Sequence, residues 1–270
     1  MMAFFVEPLH YQFFVHGLLA ALFVGCLCGL LGVYIVLRQM SYIGHGLSHA
    51  VFGGAVVSHL LGVHIYLGAG CWGFVAALLI HRLTTRRSVH ADAAIGIVTT
   101  ASFAVGVALM SRVRHFTQDF EAVLFGNVLG VSESDLLLVG GVTLLAGVVV
   151  LLLYKQLLFS TFDEEVAQVS GVPTTLVRLV FALILALAIL ASMQVLGVTL
   201  IAATIVIPAT TARLLTNSFS RMLALSTGLG GVTALVGMYL SYYCDIASGA
   251  SIVLFAAVLF LAVLSTTRNT

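Results

Sequence analysis

Long apolar runs separated by short polar segments constrain the fold of this chain more than any other feature. The runs cover residues 14–37, 41–61, 66–81, 94–111, 134–154, 176–195, 197–215, 222–243 and 251–266. A helical bilayer crossing needs about 20 mostly apolar residues, and the two-residue alternation of a membrane β-barrel is missing. The sequence therefore predicts an all-α polytopic membrane protein. We expect eight or nine transmembrane helices in a single domain over residues 1–270.

The scarcity of charge supports the same class. Charged residues make up 8% of the chain, apolar residues 61%, and the formal net charge is +1, whereas a soluble domain carries about 25% charged residues. So small a net charge offers no basic surface for nucleic acid, and membrane lipid is the expected surrounding. The sequence holds neither a P-loop nor a Gly-x-Ser-x-Gly motif. The chain is therefore predicted not to be an enzyme.

Positive charges fall in alternate connections between the apolar runs. In the connections after the first, third, fifth and seventh runs, or at the run ends beside them, lie Arg38, Arg82, Arg86, Arg87, Lys155, Arg178, Arg213 and Arg221. The connections after the second, sixth and eighth runs hold none, and the connection after the fourth run holds Arg112 and Arg114, offset by Asp119 and Glu121. Because cytoplasmic loops are enriched in Arg and Lys, the N-terminus is predicted to lie outside and the arginine-rich loops in the cytoplasm.

Residues 40–54, MSYIGHGLSHAVFGG, place polar rings inside an apolar run. His45 and His49 share one helix face because they are four residues apart. His59 falls near the same stripe, about 20 Å further along, and His64 follows in the next loop. An ionisable group inside a span marks a functional site, because burying it without a partner is unfavourable. The pattern predicts a metal site or a proton pathway, and the alternative is histidines that only pack.

Two imidazoles do not complete a metal site by themselves. Zinc usually takes four ligands, and a two-fold dimer would supply His45 and His49 from each copy. Gly46 occupies the position of the general base in the His-Glu-x-x-His motif of zinc hydrolases, which argues against hydrolysis. The sequence therefore predicts a homodimer with a cage of four imidazole nitrogens.

The longest polar stretch, residues 155–175, predicts either a short amphipathic helix at the cytoplasmic surface or a solvated loop. The acids at 163–165 suit the first turn of a helix, and Gly171 and Pro173 would end it. The pattern alone leaves both alternatives open.

Three more residues carry structural predictions. Pro208 lies inside an apolar run, where proline kinks a helix, and a local break there would serve gating or shape the packing. Arg213 marks the cytoplasmic end of the same helix. Asp245 precedes SGAS and is predicted to cap the following helix through its side-chain oxygen rather than to bind metal.

Six stretches together resemble one known family. They are GLLGVYIVLRQMSYIGHGLSHAVFGG, DAAIGIV, VLFGNVLGVSESDL, FDEEVAQVSGV, VIPATTARLLT and DIASGASIVL. In this order they resemble the integral permease subunits of bacterial zinc/manganese ABC importers, the ABC-3 family. The resemblance implies an ABC-3 type importer permease of the bacterial cytoplasmic membrane. It also implies two permease copies, a cytoplasmic ABC ATPase dimer and an extracytoplasmic metal-binding protein.

The resemblance further implies the substrate. Family members coordinate metal with an Asp and a His four residues apart; the His corresponds to His49, and His45 replaces the Asp. A cage of imidazoles without carboxylates suits zinc better than manganese. We therefore expect Zn²⁺ as a transported substrate, with no permanently bound cofactor. The alternatives are a manganese or iron importer of the same family, a stand-alone metal carrier or channel, and a non-transporting membrane subunit.

The family's ATPase-coupling loop corresponds to residues 155–177. The coupling residues that the resemblance implies are Phe162, Asp163, Glu164, Glu165, Val166, Ser170 and Gly171.

Overall fold

The computed structural model of the chain describes residues 6–85, 91–111, 124 and 126–267, and every regular element in them is helical. The α-helices are α1 (Gln12–Leu37), α2 (Ser41–Leu60), α3 (Ile65–Thr85), α4 (Ala91–Met110), α5 (Glu133–Leu152), α6 (Tyr154–Phe162), α7 (Glu164–Val169), α8 (Thr174–Leu196), α9 (Ile201–Leu215), α10 (Phe219–Cys244) and α11 (Ser248–Thr267). Two short 3-10 helices cover Glu7–His10 and Val128–Gly130.

Seven of the described helices, α1, α3, α4, α5, α8, α10 and α11, are long and apolar enough to cross a membrane. This confirms the all-α membrane class. The two other predicted crossings correspond to α2 and α9. In α2, 20 residues long, the histidines, serines and glycines lower the hydropathy, while α9 has only 15 residues.

The chain divides into two compact units, with boundaries inside α1, α5 and α8. The first unit comprises Met1–Val33, Asp119–Leu144 and Ala191–Thr270. Within it, α9, α10 and α11 pack against one another. A Cβ added to Gly25 of α1 would clash with the backbone of Gly230 in α10, so these two helices meet closely through glycine.

The second unit comprises Tyr34–Gln118 and Leu145–Leu190. Helix α2 packs against both α3 and α4, and α6 packs against α7. The core beside α2 is apolar: Leu47 and Phe52 of α2 and Ile95 of α4 are almost fully buried. Because lipid tails are as apolar as these side chains, their burial stabilises the unit through close van der Waals packing and not through removal from water. The unit thus holds α2 between its two neighbours.

Helix α9 continues from Ile201 through the buried Pro208 to Leu215, so the chain does not leave the helix at the proline. A role of Pro208 in gating or packing stays a prediction. Two of the backbone carbonyls near the proline accept side-chain hydrogen bonds, from Thr210 to Val206 and from Thr211 to Ile207. Arg213 lies in the last turn of α9, as predicted for a residue near the helix end.

The predicted role of Asp245 as cap of the following helix is wrong. Asp245 ends α10 in the left-handed conformation, with φ 53°, and its amide donates to the Ser241 carbonyl. Helix α11 begins only at Ser248. Asn and Asp tolerate the left-handed conformation better than most residues, which explains an aspartate at this C-cap.

Candidate metal site

Helix α2 brings His45 and His49 together, as their spacing predicts. Their Nε2 atoms are 3.0 Å apart, and the rings meet edge to face with centroids 4.4 Å apart. The His45 side chain is exposed and that of His49 is half-buried. The pair therefore presents two imidazole nitrogens at one point, with one ring open to an approaching ligand.

The nitrogen separation suits one metal ion as well as a hydrogen bond. Metal–nitrogen bonds of about 2.1 Å place two ligand nitrogens about 3.0 Å apart at a right angle and about 3.4 Å apart at the tetrahedral angle. Without metal, the Nε2–H of one ring donates to the bare Nε2 of the other. Metal binding requires both nitrogens to be bare, so it must displace this proton.

When Nε2 of His49 binds metal, the ring proton must lie on its second nitrogen, Nδ1. Its Nδ1 atom is buried and has no hydrogen-bond partner within the part of the chain that the structure describes. Metal-ligating histidines usually donate their other N–H to a carboxylate, carbonyl or water. An unsatisfied buried donor costs about 1–3 kcal/mol, so this arrangement lowers metal affinity. A transient site, which releases its ion, benefits from such a penalty.

Helix α4 forms the wall beside the pair. A Cβ on Gly46 would come within 2.8 Å of Thr99 and 2.9 Å of Ile95, so the glycine lets α2 approach α4 closely. The Phe103 ring lies 4.7 Å from the His49 ring. Packing of α4 therefore restricts the orientation of His49.

The histidine pair borders a cavity of about 370 Å³. Its lining residues are Tyr42, His45, Gly46, His49, Ile95, Gly96, Thr99, Thr100 and Phe103. The cavity has room for water or substrate next to the ring nitrogens, because one water occupies about 30 Å³ of liquid volume.

The structure does not join the other candidate histidines to this pair. His59 lies in the last turn of α2, about 20 Å from His45 at the helical rise. His64, in the loop after α2, stacks on Tyr66 at the start of α3, with ring centroids 5.7 Å apart. In residues 6–85, 91–111, 124 and 126–267, no group of three or more His, Cys, Asp or Glu side chains forms a metal site. One described chain thus supplies two ligands.

Most of the 155–175 stretch is helical, in α6 and α7, so the helix and not the solvated loop is the correct alternative. The Asp163 carboxylate accepts from the Val166 amide at 3.0 Å and caps α7. Ser170 ends the helix, and Gly171 follows with φ 81°. Glu164 and Glu165 lie in the first turn and the helix ends before Gly171, as predicted, while the capping role of Asp163 is a finding of the structure.

The 155–175 segment contains one acid held in an ion pair and several exposed side chains. Arg178 of α8 pairs with Glu164 at 3.0 Å, whereas the neighbouring Glu165 is exposed. Phe162 is 63% exposed, Val166 51% and Val169 91%. This exposed apolar surface is the kind that marks a protein interaction site. Val169 and Phe103 were not singled out in the sequence.

These features define a class, the multi-pass α-helical membrane proteins with a candidate metal site, and comparison identifies the family. The chain matches the ABC 3 transport family over residues 10–267 and belongs to it. It is a permease subunit in a bacterial membrane, not the ATPase.

Individual relatives cover almost the whole chain. It is 40% identical to the "Manganese transport system membrane protein MntC" of Halalkalibacterium halodurans, over 95% of this chain and 88% of that protein. It is 34% identical to the "Probable iron transport system membrane protein" of Haemophilus influenzae, over 96% of both proteins. The solved structure "PsaBC from Streptococcus pneumoniae in complex with Fab" aligns with a TM-score of 0.87 and 34% identity, covering 97% of this chain and 95% of that one.

Proposed function

We propose that this chain is the permease of an ATP-driven importer for a divalent transition metal, with His45 and His49 in the transport site. The carrying observation is the 3.0 Å separation of their Nε2 atoms beside a cavity of about 370 Å³. Membership of the ABC 3 transport family supports transport as the activity. The substrate ion passes through this site and is not a resident cofactor.

We propose a homodimer as the working form, with eight or nine crossings per copy when α2 and α9 are counted with the seven long spans. A second copy would bring its own imidazole pair to the exposed His45. Four nitrogens would then surround one ion at the dimer axis. Zinc usually takes four ligands, of which one chain supplies two.

Manganese is the substrate that the relatives favour. Curated relatives that are 34–40% identical over about 95% of this chain carry names of manganese transport systems. Manganese prefers oxygen ligands, and waters in the adjoining cavity would complete its coordination sphere. On this proposal His45 and His49 supply nitrogen ligands to a partly hydrated ion.

Zinc is the second candidate, favoured by the chemistry of the pair. His45 replaces the aspartate that the family resemblance leads us to expect, so each copy offers two imidazoles and no carboxylate at this point. Imidazole suits zinc better than manganese. Competition between zinc and manganese for the wild type and for His45→Asp separates the two assignments. On the zinc assignment, the wild type prefers zinc and the variant shifts toward manganese. On the manganese assignment, the wild type already prefers manganese.

We propose that the segment of residues 155–177 binds a cytoplasmic ABC ATPase dimer. Phe162, Val166 and Val169 would fill an apolar groove on the ATPase, while Asp163 and Gly171 fix the ends of α7. The arginine-rich connections would lie on the same cytoplasmic side. An extracytoplasmic binding protein would deliver the ion at the opposite face.

Transport by the reconstituted complex tests the proposed function. Proteoliposomes with permease, ATPase and binding protein should take up radioactive manganese or zinc in an ATP-dependent manner. His45→Ala and His49→Ala should each abolish uptake. His16→Ala, in α1, is the matched control and should leave uptake intact. Wild-type uptake of both metals by His49→Ala would exclude the assigned site.

A further inference from the structure

Arg38, the residue after α1, is bonded to the end of α6. Its Nη2 donates to Ser160 Oγ at 3.0 Å, and its Nε donates to Thr161 Oγ1 at 3.1 Å. The guanidinium carbon lies 4.9 Å from the centroid of the Phe181 ring in α8. Ser160 and Thr161 immediately precede Phe162, the first residue of the exposed apolar surface. Arg38 therefore holds the segment that is proposed to bind the ATPase.

The contacts of Arg38 are those of a charged and largely desolvated group. Burial lowers the pKa of Arg38 to about 10, although the Glu164 carboxylate opposes the shift. The guanidinium therefore remains protonated near neutral pH. Hydrogen bonds from a charged donor are stronger than neutral ones, and Arg fixes two acceptors at once through its planar fork.

A tight turn joins Arg38 to the helix that bears the histidines. The Gln39 amide donates to the Val36 carbonyl at 3.1 Å, and the Met40 amide donates to the Ile35 carbonyl at 3.0 Å. Gln39 has φ 56°. This is the hydrogen-bond pattern of a Schellman motif. Helix α2 begins at the next residue, Ser41, so the connection contains no flexible linker.

The coupling segment is also tied to α8. The Arg178–Glu164 pair joins α8 to α7 at 3.0 Å, and Gln168 Nε2 donates to Thr174 Oγ1 at 3.0 Å. Together with the ring of Phe181 beneath Arg38, these contacts make α6, α7 and the start of α8 one connected group. Displacing α7 therefore displaces the acceptors of Arg38.

From these contacts, and resting on the proposed function, we propose that Arg38 is a positioning residue that transmits displacement of the coupling segment to α2. Movement of α6 pulls the guanidinium, the guanidinium moves the 38–40 turn, and the turn moves the first turns of α2. His45 lies in the second of these turns. ATP-driven movement at the surface thereby reaches the histidine pair and changes its position relative to α4, whose residues line the adjoining cavity.

Arg38→Met in the reconstituted complex tests the proposal, because Met keeps the apolar stem and removes both hydrogen bonds. The variant should still co-purify with the ATPase, bind manganese and hydrolyse ATP at the basal rate. Metal transported per ATP should fall about tenfold, the effect expected when a charged hydrogen bond is lost. Arg82→Met, an exposed arginine at the end of α3, is the matched control and should transport normally. Unchanged metal per ATP in Arg38→Met overturns the proposal.

The double variant Ser160→Ala/Thr161→Val removes the same bonds from the other side. It should uncouple transport to a similar extent, and combining it with Arg38→Met should add little further loss. If Arg38→Met does not assemble with the ATPase, the double variant tests the proposal in its place. Wild-type metal transport per ATP in the double variant overturns the proposal. Failure of the metal assignment would instead appear as normal uptake by His49→Ala, which is a separate result.

Discussion

The ring of Phe103 in α4 lies 4.7 Å from the ring of His49 in α2, tilted by 56°. The same phenyl ring also contacts Phe52, with centroids 5.4 Å apart. These contacts leave His49 few orientations in which its Nε2 meets that of His45. The proposed metal site is therefore oriented by a residue that would contribute no ligand.

Phe103→Ala should weaken metal binding without removing it. Aromatic pairs contribute about 0.5–1.5 kcal/mol beyond their buried area, so we expect an increase in the metal dissociation constant of up to about tenfold. Phe103→Leu should show a smaller change, since it keeps part of the packing. Isothermal titration of the purified complex measures both, with Phe255→Ala in α11 as control. An unchanged dissociation constant in Phe103→Ala would show that α4 does not orient His49.

Val169→Asp should prevent ATPase binding, because Val169 is 91% exposed at the end of α7 and a charge there would be buried in the interface. Co-purification with the ATPase measures the effect. Leu61→Asp is a control of similar exposure, 72%, in the loop after α2, and it should retain the ATPase. Equal recovery of ATPase with both variants would place the interface elsewhere.

Reversing the charges of Glu164 and Glu165 should have separate effects. Glu165→Lys changes only the exposed surface and should reduce co-purification of the ATPase. Glu164→Lys replaces the Glu164–Arg178 ion pair by two like charges and should loosen α7. A partly exposed ion pair of this kind contributes about 0.2–1 kcal/mol to stability. The swap Glu164→Lys/Arg178→Glu should restore what Glu164→Lys loses. No rescue by the swap would mean that Glu164 acts on the ATPase directly.

Gly46→Ala should destabilise the second unit, because its Cβ would lie 2.8 Å from Thr99 and 2.9 Å from Ile95. A lower melting temperature and weaker metal binding are expected. Gly147→Ala in α5 is the matched control, since nothing lies within 4 Å of its added Cβ. There alanine should be neutral or stabilising by up to about 1 kcal/mol, the helix-propensity difference. A melting temperature of Gly46→Ala equal to that of Gly147→Ala would contradict the close approach of α2 and α4.

Features that depend only on neighbouring residues in the sequence were predictable. Apolar length located the long spans, the four-residue spacing located the His45–His49 contact, and acids followed by Gly171 located α7. Residues 120–131 are mostly apolar but too few to cross a bilayer, which is typical of an interfacial or re-entrant helix. This segment lies partly outside the described residues, which show a 3-10 helix at Val128–Gly130.

Contacts between distant parts of the chain were not predictable. Phe103 reaches His49 only through the packing of α4 on α2, and Arg38 reaches Ser160 across 122 positions. Neither contact leaves a periodic pattern in the sequence. Pro208 shows a related limit: whether a helix ends at a proline or continues through it depends on neighbouring groups, which cannot be identified from the proline itself.

Electron spin echo envelope modulation of Mn²⁺ bound to the purified complex tests the central claim most directly, since it detects nitrogen ligands through their hyperfine coupling. The wild type should show imidazole nitrogen coupling, His49→Ala should lose it together with tight binding, and His16→Ala should retain it. Nitrogen coupling of wild-type strength in the His45→Ala/His49→Ala double variant would contradict the assignment of this pair as the metal site.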